Sequence, residues 1–158
     1  MAIAVDGHEL WLTRCADLGF QPMTRHYAEG TRTSQDAADQ LGCDVAHIAK
    51  SIVFSGEEGA VLVITSGANR VDRKRKLKRV LGYKPGIAPP EYVLENTGYE
   101  VGGVPPFGHT KPVTVLMDED LSQYDVVWGA GGTAKTVFPI PPSDLMSISG
   151  AIIADVKQ

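Results

Sequence analysis

The densest chemistry in this sequence lies in main chain rather than in side chains. The stretch Gly98-Tyr99-Glu100-Val101-Gly102-Gly103-Val104-Pro105-Pro106-Phe107-Gly108-His109 brings together four glycines, two adjacent prolines, a histidine and two aromatic residues. Glycine lets a ligand approach bare backbone, and proline fixes φ while removing a donor. Gly102 and Pro106 therefore bracket a short stiff loop whose carbonyl and amide groups are free to bind something. A Gly/Pro cluster is ordinarily a structural turn; the concentration here favours a ligand-facing loop. A second glycine loop, Gly129-Ala130-Gly131-Gly132-Thr133, is expected to form the opposite wall of one small pocket with the first. Amides exposed there suit a carboxyl, ester or phosphate group.

Two placements of positive charge accompany these loops. Lys50 stands at the entrance of the apolar run Ser51-Ile52-Val53-Phe54. A lysine there must reach water or have a task, and spacing alone favours a solvated strand end. Arg70, Arg73, Lys74, Arg75, Lys76, Lys78 and Arg79 are seven of the fifteen Lys+Arg residues, with Asp72 the only acid among them. The chain as a whole carries a net charge of −4. Basic residues crowded on one helix repel each other by a few tenths of a kcal/mol per close pair. Such asymmetry points to a polyanionic partner.

Several chemistries are excluded. His8, His26, His47 and His109 are scattered, and Cys15 and Cys43 form no CxxC pair, so no metal site or cofactor is expected. Both cysteines read as small buried hydrophobes. Gly129, Gly131 and Ala134 match G-x-G-x-x-A, but Pro139, Pro141 and Pro142 forbid the helix that a dinucleotide motif must open. There is no phosphate-binding G-x-x-x-x-G-K-[ST] loop, no nucleophile elbow and no evident catalytic triad. At 158 residues, 43% hydrophobic and 22% charged, the chain fits one domain spanning 1–158. No apolar run suits a bilayer and the N-terminus has no secretory pattern, so the expected setting is a reduced cytoplasm without a membrane partner.

The elements that must position these groups alternate irregularly. A helix over 8–18 follows Asp6 and Glu9, which have capping-box spacing, and closes at Gly19. Residues 22–30 suggest a strand and a turn. Thr33 and Ser34 cap a helix ending at Gly42, and 45–49 make a helical turn or run into a strand. Strands at 51–54 and 60–65 form a hairpin. Asn69 caps a basic helix running to Leu81, and Pro89 and Pro90 open a helix stopped by Gly98. Strands follow at 113–117, 125–128, 136–140 and 151–156, with a turn at 118–121 and a brief helix from Pro142. The pattern is α+β, not a regular βαβ series.

Taken together these segments resemble the YbaK/ProX group, free-standing relatives of the editing domain inserted in bacterial prolyl-tRNA synthetases. The resemblance rests on Ala37-Ala38 through Leu41-Gly42 with Ile48-Ala49-Lys50-Ser51-Ile52-Val53-Phe54, on Gly102-Gly103-Val104-Pro105-Pro106 as a GxxxP loop, and on Gly131-Gly132-Thr133 with Asp144-Leu145. It covers nearly the whole chain. It implies a mixed, partly barrel-like β-sheet surrounded by helices. It also implies hydrolysis, in trans, of the ester that joins a small wrong amino acid, alanine, cysteine or similar, to tRNA(Pro). By resemblance Lys50 holds the terminal adenosine's phosphate or ribose, and Gly102 fixes the aminoacyl group or the water. Ser51, Gly103, Val104, Pro106, His109, Gly131, Gly132 and Thr133 contact the substrate. Arg70, Arg73, Lys74, Arg75, Lys76 and Lys78 contact the tRNA. Prolyl-tRNA synthetase is a further candidate partner, and DNA is not expected. Relatives use substrate hydroxyls and positioned water, which agrees with the missing nucleophile. One departure is that many carry a histidine soon after the second glycine loop, where this chain has Ala134, Lys135 and Thr136. The alternative is a tRNA- or synthetase-binding module of the same fold without turnover; a third class is a small-molecule binder with no RNA role.

Overall fold

The computed structural model describes residues 6–27 and 33–158. Its helices are α1 (Gly7–Asp17), α2 (Ser34–Leu41), α3 (Lys78–Leu81), α4 (Pro90–Thr97) and α5 (Pro142–Ser149). Its strands are β1 (Arg25–His26), β2 (Ala49–Gly56), β3 (Gly59–Ser66), β4 (Gly86–Ile87), β5 (Thr114–Asp118), β6 (Val127–Ala130), β7 (Thr136–Ile140) and β8 (Ile152–Ala154). The strands form two sheets, ordered β1-β7-β6 and β4-β2-β3-β5-β8. The larger sheet is mixed: β3 pairs antiparallel with β2 and parallel with β5, and β8 runs parallel to β5. The α+β class holds: the strands make two sheets, joined by a bridge between Ile48 and Trp128, and the barrel is not closed.

Strand β3 lies at the centre because both its faces are apolar. Leu62 and Ile64 join the main core with Val115, Met117 and Phe138, while Val61 and Val63 meet Phe54, Leu77 and Leu116 on the other side. Hairpin β2–β3 turns at Glu57 and Glu58 and sets Lys50 opposite Thr65. Helix α1 buries Trp11 and Cys15 against the main core. Burial pushes the Cys15 thiol up to about 12, so it is an inert packing group.

Three local expectations differ from the structure. Asp6 caps α1 by accepting the His8 amide at 2.8 Å, and no return bond from Glu9 completes a box. Asn69 does not cap the basic helix; its side-chain amide donates to Asp118 and Asp120, both at 2.8 Å. Two carboxyl acceptors outcompete the helix end. Asp72 caps instead, accepting the Arg75 amide at 3.0 Å, and a wide turn at Arg73–Leu77 precedes α3. The last strand spans only Ile152–Ala154. In the 22–30 stretch, β1 is present and residues 28–30 lie outside the described residues.

Candidate active site

The glycine-proline loop is held from beneath by α1. Trp11 donates its indole N–H to the Phe107 carbonyl at 3.1 Å, and Phe107 stacks among Trp11, Phe20 and Phe138. Tyr99 donates its hydroxyl to the Gly108 carbonyl at 2.7 Å, and His109 Nε2–H donates to the Pro105 carbonyl at the same distance. These side chains fix both ends of the loop, so its free backbone is preorganised. Burial lowers the His109 pKa, partly offset by its bond to Pro105, which keeps the imidazole neutral. Gly102 has φ of +92°, a conformation that L side chains rarely adopt.

Beside this loop β2 has a free edge. β4 pairs with β2 only at Phe54 and Ser55, and Ile48 bridges Trp128 of β6. Among the described residues no strand opposes β2 between those points. A cavity of about 460 Å³ opens along this edge. β2 supplies Lys50, Ser51 and Val53; the first loop supplies Val101, Gly102 and Val104; β6 and β7 supply Trp128, Ala130 and Val137. The first turn of α2 closes one side with Thr33, Ser34 and Ala37. This volume is in the ordinary range for small-molecule sites, ~300–1,000 Å³.

The lining is largely apolar. Lys50 is its one charged side chain, and no Asp, Glu, His or Cys lines it among the described residues. Lys50 is exposed, and no described carboxylate pairs with it. The Ser51 hydroxyl is buried without a hydrogen-bond partner. A buried hydroxyl left in that state costs free energy and calls for an explanation.

Lys50, Ser51, Gly102 and Val104 thus come together around one cavity. Gly103, Pro106, His109, Gly131, Gly132 and Thr133 do not line it. Gly129 and Ala130 of the second glycine stretch belong to β6 and line the cavity with the first loop, whereas Gly131, Gly132 and Thr133 lie behind that loop. A Cβ on Gly103 would stand 2.7 Å from the Thr133 Cα, and one on Gly132 would stand 2.3 Å from the Gly7 carbonyl oxygen. His8 Nδ1–H holds the Gly131 carbonyl at 2.7 Å. That loop therefore sets the height of the first loop over the cavity. Pro106 is buried beneath Gly129. Sequence reasoning missed Trp128, Ile87 and the start of α2 as lining. Only Trp128 carried a signal, as a bulky residue directly before a glycine loop.

The basic segment packs Leu77 and Val80 on the face of β2 that carries Ile52 and Phe54. Alternation puts Lys50 on that face as well. Two of the basic side chains have structural partners: Lys76 pairs with Asp155, and Arg73 donates to the Pro85 carbonyl at 2.9 Å. Arg70, Lys74, Arg75, Lys78 and Arg79 are exposed without a carboxylate partner among the described residues.

Known proteins share this architecture. A solved structure described as a candidate trans-editing enzyme for prolyl tRNA synthetase superposes with a TM-score of 0.91 at 39% identity, covering 99% of both chains. YwhH of Bacillus subtilis is 32% identical over 124 residues, 78% of each chain. The proline–tRNA ligase of Thermosipho melanesiensis is 33% identical over 110 residues, 69% of this chain but 19% of the ligase. This chain thus spans about a fifth of that enzyme. The family model of the aminoacyl-tRNA editing domain matches residues 28–148, and the chain belongs to that family.

Proposed function

We propose that this protein is an aminoacyl-tRNA deacylase acting in trans, which removes a small wrong amino acid from tRNA(Pro). The observation that carries the reading is the shared cavity of Lys50 and Gly102, which holds a cation and free backbone but no carboxylate, imidazole or thiol among the described residues. In this reading the Lys50 ammonium holds the ribose or phosphate of the terminal adenosine. The Gly102 main chain holds the aminoacyl group or the attacking water. Water adds to the ester carbonyl carbon, the bond from that carbon to the ribose oxygen breaks, and the proton water loses ends on that oxygen. Substrate hydroxyls carry the proton, since no carboxylate, imidazole or thiol lines the cavity among the described residues. Positioning supplies several kcal/mol of such a barrier, and an amide aimed at the developing oxyanion adds roughly 3 kcal/mol.

The exposed basic residues Arg70, Lys74, Arg75 and Lys78 meet phosphates of the tRNA in this reading. Arg73 and Lys76 flank them while serving the fold. Support comes from their layer, which covers the face of β2 that carries Lys50. The family and the trans-editing neighbour agree with the activity.

Deacylation assays with Ala-, Cys- and Ser-tRNA(Pro) test the reading: one is hydrolysed well above the uncatalysed rate. No hydrolysis across the panel, with salt-sensitive RNA binding intact, would instead identify a binding module. The unpaired Ser51 hydroxyl is assigned to the substrate's polar groups. Ser51→Ala lowers kcat/KM for the preferred substrate on the order of 10-fold without lowering Tm, since it removes a buried unsatisfied group. An unchanged kcat/KM would remove Ser51 from the site.

A further inference from the structure

The three-stranded sheet brings a second cation to the rim of the cavity. Arg25 of β1 lies directly opposite Val137 of β7, which lies opposite Ala130 of β6. Directly opposed residues project to the same face of a sheet, and Trp128, two residues before Ala130, projects there too. Val137, Ala130 and Trp128 all line the cavity, so Arg25 stands on its cavity-facing side. The side chain reaches across β7, and its guanidinium carbon sits 4.9 Å from the centre of the Trp128 ring.

That distance is within the ~6 Å reach of a cation–π contact. The contact does two things. It orders a long side chain that otherwise loses rotamer freedom on binding a ligand. It also occupies one face of the guanidinium and leaves the N–H edge open. Arg25 is exposed, and no described carboxylate meets it. A fixed guanidinium edge, unpaired, at the rim of a site that contains no acid is built for a planar or tetrahedral oxyanion.

We propose that Arg25, seated on Trp128, binds the phosphate that joins the last two nucleotides of the RNA substrate. Its rim then fixes where the RNA enters, and with that phosphate on Arg25 the Lys50 ammonium takes the ribose, the other of its two proposed contacts. The assignment rests on the deacylase reading for its ligand and extends it by naming the contact that orients the 3′ end. The edge geometry favours phosphate over a stacked base.

The test measures equilibrium binding of an uncharged RNA hairpin ending in CCA, so it does not depend on turnover. A second hairpin carries an uncharged methylphosphonate at the last internucleotide position, and a third lacks the terminal base. Wild type binds the methylphosphonate hairpin about 10-fold more weakly than the parent. Arg25→Ala binds the parent about 10-fold more weakly and no longer distinguishes the two. Arg25→Lys keeps charge but not the fork and falls between them. Thermal midpoints of the variants match wild type. An Arg25→Ala protein that still discriminates the methylphosphonate, or that loses discrimination only of the base-free hairpin, overturns the proposal. If the hairpin results hold but no charged tRNA is hydrolysed, the RNA contact stands and the deacylase reading falls.

Discussion

Lys50 and His109 illustrate two opposite uses of a titratable side chain. Lys50 enters an apolar strand yet stays exposed and unpaired at the cavity edge. His109 lies outside the cavity lining; it is half-buried and pins Pro105. Its lowered pKa gives a signed expectation. The unfolded chain takes up a proton near the ordinary value of 6.5, whereas the native imidazole resists it. Below that pH the unfolded state binds more protons, so stability falls as pH drops from about 6.5 and levels off once the lower native value is passed. His109→Gln, followed by denaturant unfolding between pH 7 and 5, removes that part of the pH dependence. A slope equal to wild type would show that His109 is not the group responsible.

At the scale of elements, the loops were easier to read than their mutual arrangement. The glycine-proline loop announces itself because glycines and prolines constrain backbone locally, and Pro89-Pro90 and Gly42 mark helix ends for the same reason. Asn69 misled because its acceptors, Asp118 and Asp120, come from a distant strand end. The second glycine stretch divides: Gly129 and Ala130 form cavity wall within β6, while Gly103 lies against the Thr133 backbone and makes Gly132 and Thr133 a support. The two glycines of the first loop consequently differ. Gly103→Ala places a methyl 2.7 Å from a backbone atom and forces the loops apart; it should cost about 2 kcal/mol or more and abolish activity. Gly102→Ala meets nothing nearer than 3.8 Å but is strained at its φ, and should cost about 1 kcal/mol. Thermal unfolding of the pair checks the order; equal losses would contradict the stacked arrangement of the loops.

For the whole molecule, the basic segment covers one face of the larger sheet and the cavity opens along the β2 edge of that sheet. Clustering of basic residues was visible in the sequence, but their division of labour was not. Lys76 and Arg73 are tied to Asp155 and Pro85, and only tertiary structure shows that. Arg25 and Trp128 were likewise illegible, because nothing local brings the two together. Replacing Lys74, Arg75 and Lys78 with alanine should reduce the slope of log affinity against log salt by roughly 0.7–0.9 for each phosphate that is no longer neutralised. Tm should stay near wild type, since exposed charges contribute little to stability. RNA affinity with an unaltered salt slope would place the RNA elsewhere.

In the proposed mechanism a lysine and a rigid bend of backbone, sharing one cavity, carry out ester hydrolysis without a protein nucleophile. Single-turnover deacylation of the preferred aminoacyl-tRNA(Pro) by Lys50→Ala tests it most directly, with Tm measured alongside. The expected result is a rate reduced on the order of 100-fold or more in a protein that unfolds like wild type, whereas a folded Lys50→Ala protein with the full rate would contradict the mechanism.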